Sequence, residues 1–330
     1  MTKKARLIAI GGLIVGFALL LIWLVIALFF KREPHYSHIS AVGVTRQSVI
    51  KNLGVVQYVF YKNKKPIATQ WYNNGHRLIY KEGRIPDGIV TELYQNGRLK
   101  GEYIYIQEKR EGSAKTFYPN HRIYKEEQFR NDEREGLSSI FDRYHRIILS
   151  ENYRKGVLEG IQQIYDSKGS YIQVEYDQGK PSNQIRYFSK KGKLIAESTI
   201  KNKKLDGLCL IYYPNQSQSL KTVLTFKNDV LNGIVKTFYE NGSLQAEYHC
   251  KDNQLDGEAS KFNVSGNLVA IESYKNGILN GESRYFQDNR ILTEIISFED
   301  GLRHGNYQRF APSGTLVYST KYRKGILYER

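Results

Sequence analysis

One residue returns through this chain at a nearly fixed interval, and that recurrence limits the fold more than any other feature. A glycine closes a short phrase at Gly88, Gly112, Gly136 and Gly160. Asn183 holds the next slot, and glycine resumes at Gly207, Gly233, Gly257, Gly281 and Gly305. The intervals are 24, 24, 24, 23, 24, 26, 24, 24 and 24 residues. Self-similarity at such a period marks one supersecondary unit copied along the chain. "YKNGILNG" (Tyr274–Gly281) is therefore read as architecture, since a phosphate-cradling glycine loop is written once and opens a helix. A worn copy around Thr69–Leu78 precedes the ten units, and a truncated one, "KYRKGILYER", follows them.

Each unit carries the same internal signals. The fifth residue after the glycine is aromatic at Phe117, Phe141, Tyr165, Phe188, Tyr212, Phe238, Phe262, Phe286 and Phe310, with Leu93 the exception. A first turn pair follows, Asn-Gly at Asn96–Gly97 and Asn241–Gly242, and then an aliphatic such as Leu99, Ile123 or Leu244. A second turn comes at Lys155–Gly156, Gln178–Gly179, Asn276–Gly277 and Asp300–Gly301. Two segments of about ten residues per unit, each bounded by a turn, spell hairpin after hairpin. Helices are excluded because glycine and asparagine break each unit twice and the apolar spacing never settles on 3.6.

The expected fold is all-β: tandem antiparallel hairpins in an elongated, solenoid-like meander, with no crossover long enough for a parallel pair. Asn-Gly favours a type I′ turn with positive φ at both central residues. Centring a hairpin on Asn241–Gly242 puts Tyr239 opposite Leu244 and Phe238 opposite Gln245; centring one on Asn276–Gly277 puts Tyr274 opposite Leu279. Units with His121, His145, Gln216 or Arg290 in the turn-glycine slot would strain that turn and are expected to use others. Alternation leaves apolar rows on both faces, with Glu102, Glu126, Glu197 and Glu247 recurring on one of them. Either a twisted ribbon solvated on both sides or a sheet curled over one row satisfies this pattern. The 26-residue interval enlarges one hairpin loop, at Asn215–Ser219.

The amino-terminal end obeys different rules. Residues 1–6 form a basic tail with Lys3, Lys4 and Arg6, and Leu7–Phe30 runs 24 residues without a charge. About 20 apolar residues span a hydrocarbon core as a helix. A cleavable signal has a shorter core and small residues at its cut site, whereas this stretch ends "ALFFKRE", so 7–30 is read as a retained transmembrane signal-anchor. The cationic tail puts the N-terminus in the cytoplasm and the body outside, against Lys31 and Arg32 on the far flank. Residues 31–48 read as a stalk and 49–330 as the repeat array, best defined over 66–325.

Little in the chain reads as chemistry. Its net charge of +16 permits attraction to anionic lipid, cell-wall polymer or nucleic acid without choosing among them. Cys209 and Cys250, its two cysteines, fall on non-adjacent strands of the meander and make neither a metal framework nor a disulfide scaffold. His35 and His38 have a metal-like spacing but no third ligand; the seven histidines keep no common register and suit turns and surface. Nucleotide-binding, metalloprotease and hydrolase signatures are not found. Cross-strand ion pairing accounts for the glutamate row. The tyrosine rows could stack bases, but the sheet needs those rings, so nucleic acid is not an expected partner. No catalytic, cofactor or metal-binding residue is assigned.

The stretch "TFYENGSLQAEYHCKDNQLDG" (Thr237–Gly257) resembles the MORN repeat, and most of all the bacterial variant in YwqK-type proteins, often labelled antitoxins of toxin–antitoxin systems. The resemblance covers about residues 66–325. It implies an array of antiparallel hairpins used for protein contacts, scaffolding or membrane attachment. The expected function is a non-enzymatic, membrane-anchored surface for an unidentified protein partner. The alternatives are toxin neutralisation, or an envelope element that binds anionic lipid or cell-wall polymer.

Overall fold

The computed structural model describes residues 43–50, 54–73, 77–215, 217–287 and 290–329. The basic tail, the anchor at 7–30 and the stalk up to residue 42 lie outside the described residues. Twenty-nine strands run through the described chain, which divides into two compact units between Ser182 and Asn183.

The first unit opens with strands that the repeat does not announce. β1 (Val44–Ile50), β2 (Val56–Lys62), β3 (Lys65–Tyr72) and β4 (Leu78–Gly83) form an antiparallel meander, with the worn copy supplying the β3–β4 hairpin. β1 starts within the stretch read as a stalk and runs past its end, so the sheet begins five residues before the expected array boundary at 49. The first repeat strand, β5 (Gly88–Leu93), then pairs with β1 in parallel, Val44 beside Val90 and Thr45 beside Thr91. The expectation of no parallel pair fails here because β2 to β4 together serve as the long crossover. Four residues, Arg84–Asp87, carry the chain from β4 to β5, and Ile85 among them is buried in a core with Phe60, Ala68, Tyr103 and Tyr105. The Phe60 and Tyr105 rings meet edge to face at 5.4 Å.

The repeat turns come in two alternating kinds, and the first departs from the type I′ turn that its Asn-Gly pairs predict. At the first turn, Gly242 N–H donates to Tyr239 O (2.9 Å) and Tyr239 N–H to Ser243 O (2.9 Å), with positive φ at Gly242 and not at Asn241. That is a type I turn followed by one left-handed residue, the three-residue hairpin with a bulge. The extra residue shifts the register: Phe238 faces Leu244 and Thr237 faces Ala246, so the expected Tyr239–Leu244 and Phe238–Gln245 pairs do not form. His121 (φ 66°) and His145 (φ 64°) take this same turn, which is not type I′, as expected where the glycine is missing, and Arg290 is also left-handed (φ 62°). Gln216 lies outside the described residues.

The second turn is the type I′ one. Asn276 (φ 48°) and Gly277 (φ 81°) are both left-handed, and Tyr274 faces Leu279 as expected. Pairs without glycine adopt it too, such as Gln107–Glu108 and Asn202–Lys203. The preceding copy braces several turns of this kind. The second turn residue donates its amide to a carbonyl about one unit back: Asp132 to Arg110 (3.0 Å), Asp229 to Leu205 (2.9 Å), Gly301 to Leu279 (2.9 Å). Acids just before the closing glycines complete the stack, as Glu111 accepts from Asn131 N–H (2.8 Å) and Glu135 from Lys155 N–H (2.8 Å).

All nine closing glycines have φ between 68° and 134°. From Gly112 onward each sits where the strand leaves the second turn and the ladder skips a step, and Gly88 opens β5 after the Arg84–Asp87 connection. At Gly233 a Cβ would lie 3.1 Å from the Thr225 side chain, whose hydroxyl is occupied in donating to the Ile234 carbonyl (2.8 Å). Backbone conformation and close approach together select glycine there.

Candidate binding surface

Burial separates the two faces of each unit, which favours the sheet closed over one row. The second residue after the closing position is buried in every copy but the last: Val90, Ala114, Ser138 and Gln162 in the first unit, Ile185, Cys209, Val235, Ala259 and Ser283 in the second, whereas Tyr307 is half-buried. They share a face with the ends of the following strands, including Tyr105, Phe129, Tyr153, Phe226 and Tyr274. One residue earlier in the same strands, the side chain points to the other side.

The closed face holds charge as well as hydrocarbon. Glu92 accepts from Arg46 Nε (3.0 Å), from Ser48 Oγ (3.0 Å) and from Lys100 Nζ, and all four side chains are buried. The Arg46 guanidinium also lies 3.3 Å from the Tyr103 ring centroid and 4.4 Å from that of Tyr58. Burial alone would raise the Glu92 carboxyl, but the Arg46 and Lys100 charges outweigh it and hold the group below the usual range. Arg110 and Asp132 form a second pair (2.7 Å), joined by the Tyr72 hydroxyl at 2.8 Å. Further on, the Tyr153 and Tyr274 hydroxyls donate to Glu151 (2.9 Å) and Glu272 (2.5 Å). Every one of these groups has partners within the protein, so they lock register and offer nothing to a substrate.

The repeat aromatics stand on the open face beside their cross-strand aliphatics, Phe117 with Ile123 and Phe262 with Leu268. Their carbonyls also form a ladder. The tyrosine that follows the aromatic slot donates to the carbonyl of the next slot's aromatic: Tyr94 to Phe117 (2.5 Å), Tyr118 to Phe141 (2.8 Å), Tyr213 to Phe238 (2.8 Å), Tyr239 to Phe262 (3.0 Å). Where Asp142, Asp166 or Asn263 replaces that tyrosine, its side chain caps its own turn, as Asp142 does for Tyr144 N–H and Arg146 N–H. The glutamate row lies on this face in cross-strand pairs, Lys115–Glu126 (3.3 Å), Arg186–Glu197 (3.7 Å) and Lys236–Glu247 (2.9 Å). The repeat glycines and aromatics are thus brought together as scaffold.

Sequence reading missed the feature that stands out of this face. Immediately after the closing glycine, an aliphatic side chain faces solvent: Ile89 (64% exposed), Leu137 (57%) and Ile161 (48%) in the first unit, Leu208 and Ile234 in the second. The same slot is polar at Ser113 and Gln184, which interrupt the row, and at Glu258, Glu282 and Asn306, so adjacent units share the aliphatic at Leu137 and Ile161 and at Leu208 and Ile234. Its signal was present in the repeat alignment, one place beyond the glycine. Among the described residues no His, Cys, Asp and Glu group could hold a metal. His35 and His38 lie outside the described residues. Cys209 and Cys250 are free and buried, and burial pushes both thiols up to about 11.

Fold and surface together define a hairpin-repeat protein with one closed and one open face. The MORN repeat variant family model matches residues 231–252, which run from Leu231 through the closing Gly233 and the Tyr239–Ser243 turn to the first residue of the next type I′ pair, Asp252. No curated protein matches the chain. Among solved structures, similarity extends to a mutant of S. aureus TarM in complex with fondaparinux, alpha-GlcNAc-glycerol and UDP, at 13% identity over 37% of this chain and 19% of that one, TM-score 0.15. It extends also to TcdB2-TccC3, at 10% identity over 85% of this chain and 19% of that one, TM-score 0.17. The matched region is about a fifth of either chain, and TM-scores this low carry no argument about this protein.

Proposed function

We propose that this chain is a non-enzymatic scaffold, anchored by residues 7–30 with its N-terminus in the cytoplasm and its array exported, and that it binds a protein partner. The observation that carries the reading is the aliphatic row on the open face. Exposed apolar side chains set in a polar surround mark interaction sites when they recur together, and equivalent positions of adjacent units stand about 10 Å apart, two strand spacings. The buried charges of the closed face pair with one another, as Glu92 does with Arg46 and Lys100, which favours the open face as the working one. Among the described residues no helix is long and apolar enough to cross a membrane, and the proposed anchor lies outside them. The net charge of +16 favours a second reading, an envelope element drawn to anionic lipid or wall polymer. If the array instead faces the cytoplasm, toxin neutralisation, the role attached to YwqK-type proteins, takes first place with the same row as its contact.

One experiment covers orientation and surface together. The full chain carries a compartment-sensitive reporter after Arg330 and a photo-crosslinking residue at Leu137 or Ile161, with Glu258 and Glu282 as controls in the same slot. The reading predicts an exported signal and a discrete adduct from the aliphatic positions alone. A cytoplasmic signal overturns the orientation, and equal adducts from all four positions overturn the row.

A further inference from the structure

The residue just before the two-residue turn is lysine in four successive units of the second half: Lys201, Lys227, Lys251 and Lys275. Each ends its strand, and all four are exposed. The strands that carry them alternate with one intervening strand, so the lysines recur about every 10 Å along the sheet. Neighbouring lysines are committed: Lys236 to Glu247 (2.9 Å), Lys261 to Glu272, Lys193 to the Pro214 carbonyl (3.2 Å). Among the described residues the side chains of the four in the row make neither an ion pair nor a hydrogen bond. In the next unit Glu299 takes the slot, beside His304 (2.9 Å), and the row stops.

A cleft opens between Lys201 and Lys227, lined by Asn202, Asp206, Thr225, Phe226, Asn228 and Asn232. Its one carboxylate, Asp206, accepts from the Asn228 amide (3.3 Å), and the Thr225 hydroxyl is occupied by the Ile234 carbonyl (2.8 Å). The groups left to a ligand are the two ammonium groups at the rims and the side-chain amides of Asn202, Asn228 and Asn232 between them. Asp229 and Asp256, farther along the strip, likewise accept from backbone amides, of Leu205 (2.7 Å) and Asn276 (3.4 Å), and Asp252 is the one exposed carboxylate among the turns. Regularly spaced cations with side-chain amides in the intervals suit a hydroxylated chain that carries one charge per repeat. A bilayer surface has no use for a fixed spacing, and the cleft offers no apolar slot for an acyl chain.

We propose that this strip binds a linear acidic polysaccharide bearing one carboxylate per disaccharide, the lysines taking successive carboxylates and the asparagines the hydroxyls between them. The proposal rests on the charge-driven reading above and is independent of the aliphatic row.

The test titrates the full-length chain in detergent with hyaluronan oligosaccharides, which carry one carboxylate per disaccharide, and with neutral dextran. Wild type binds hyaluronan and not dextran, more tightly as the oligosaccharide lengthens to span the four lysines, and more weakly as salt screens the contacts. The K201Q/K227Q/K251Q/K275Q variant loses about tenfold or more in affinity. A control variant with the same charge change in the first-turn loops, R143Q/K168Q/K190Q/K191Q, stays within about twofold of wild type. Equal losses in both variants reduce the effect to net charge and overturn the strip. No hyaluronan binding, or equal binding of dextran, overturns it as well. Row-dependent binding of anionic vesicles without hyaluronan binding would leave the charge-driven reading standing and the polysaccharide assignment wrong.

Discussion

Glu92→Gln is expected to destabilise the first unit by about 3–5 kcal/mol, because it leaves the buried Arg46 and Lys100 charges without their counter-charge. Urea denaturation of the full chain, followed by tyrosine fluorescence, reads the effect. Glu126→Gln, on the half-exposed partner of Lys115, should cost less than about 1 kcal/mol and serves as the comparison. The same cluster sets an acid dependence. The folded Glu92 carboxyl is held below its unfolded value, so its contribution is full above about pH 4.3 and is lost as the pH falls through the folded value. The Glu92→Gln protein lacks that component of acid destabilisation. If its stability lay within about 1 kcal/mol of wild type at neutral pH, the cluster would not be what fixes β1 against β5.

The second large effect is expected at Gly83, the last residue of β4. Its φ is 73°, and a Cβ there would lie 2.1 Å from the Ile67 carbonyl oxygen, an atom of the neighbouring strand's backbone that cannot rotate away. Gly83→Ala combines a left-handed strain with a backbone clash, together about 2–6 kcal/mol. Gly97→Ala, at a similar φ of 78° with open space around it, isolates the conformational part and should cost about 1–2 kcal/mol. Denaturation midpoints of the two variants separate the clash from the strain. Equal midpoints would place β4 elsewhere than against β3.

Much of this was legible because a repeat tests itself. The glycine interval and the aromatic slot gave strand count per unit, pairing order and the second-turn register, including Tyr274 opposite Leu279. Turn identity was not legible from dipeptides. Asn-Gly prefers type I′ in isolation, but the first turn sits in a loop long enough for a type I turn plus one left-handed residue, and only Gly242 of that pair becomes left-handed. Gln107–Glu108 gives no type I′ signal of its own and adopts the turn against its φ preference, as Asn131–Asp132 and Asn228–Asp229 do where the second amide bonds to the preceding copy. β1 escaped notice for another reason. "VTRQSVI" buries Arg46 and Ser48 where a strand usually buries hydrocarbon, so apolar alternation is missing although burial is not. Glu92 and Lys100 hide in the same way, as charges that only their mutual contact explains.

The separation of faces underlies both the aliphatic row and the lysine strip, and adjacent residues of one strand test it. Leu208 is 51% exposed and Cys209 is 0% exposed. A one-residue slip of register would exchange them. The measurement is the rate of labelling by a thiol reagent in the native full-length chain, comparing Leu208→Cys, in a background with Cys209→Ser and Cys250→Ser, with the wild-type cysteines. The account predicts rapid labelling at position 208, and no labelling of Cys209 or Cys250 until denaturant unfolds the chain. Native labelling of Cys209 as fast as that at position 208 would contradict it, and would turn the proposed binding row into the interior of the sheet.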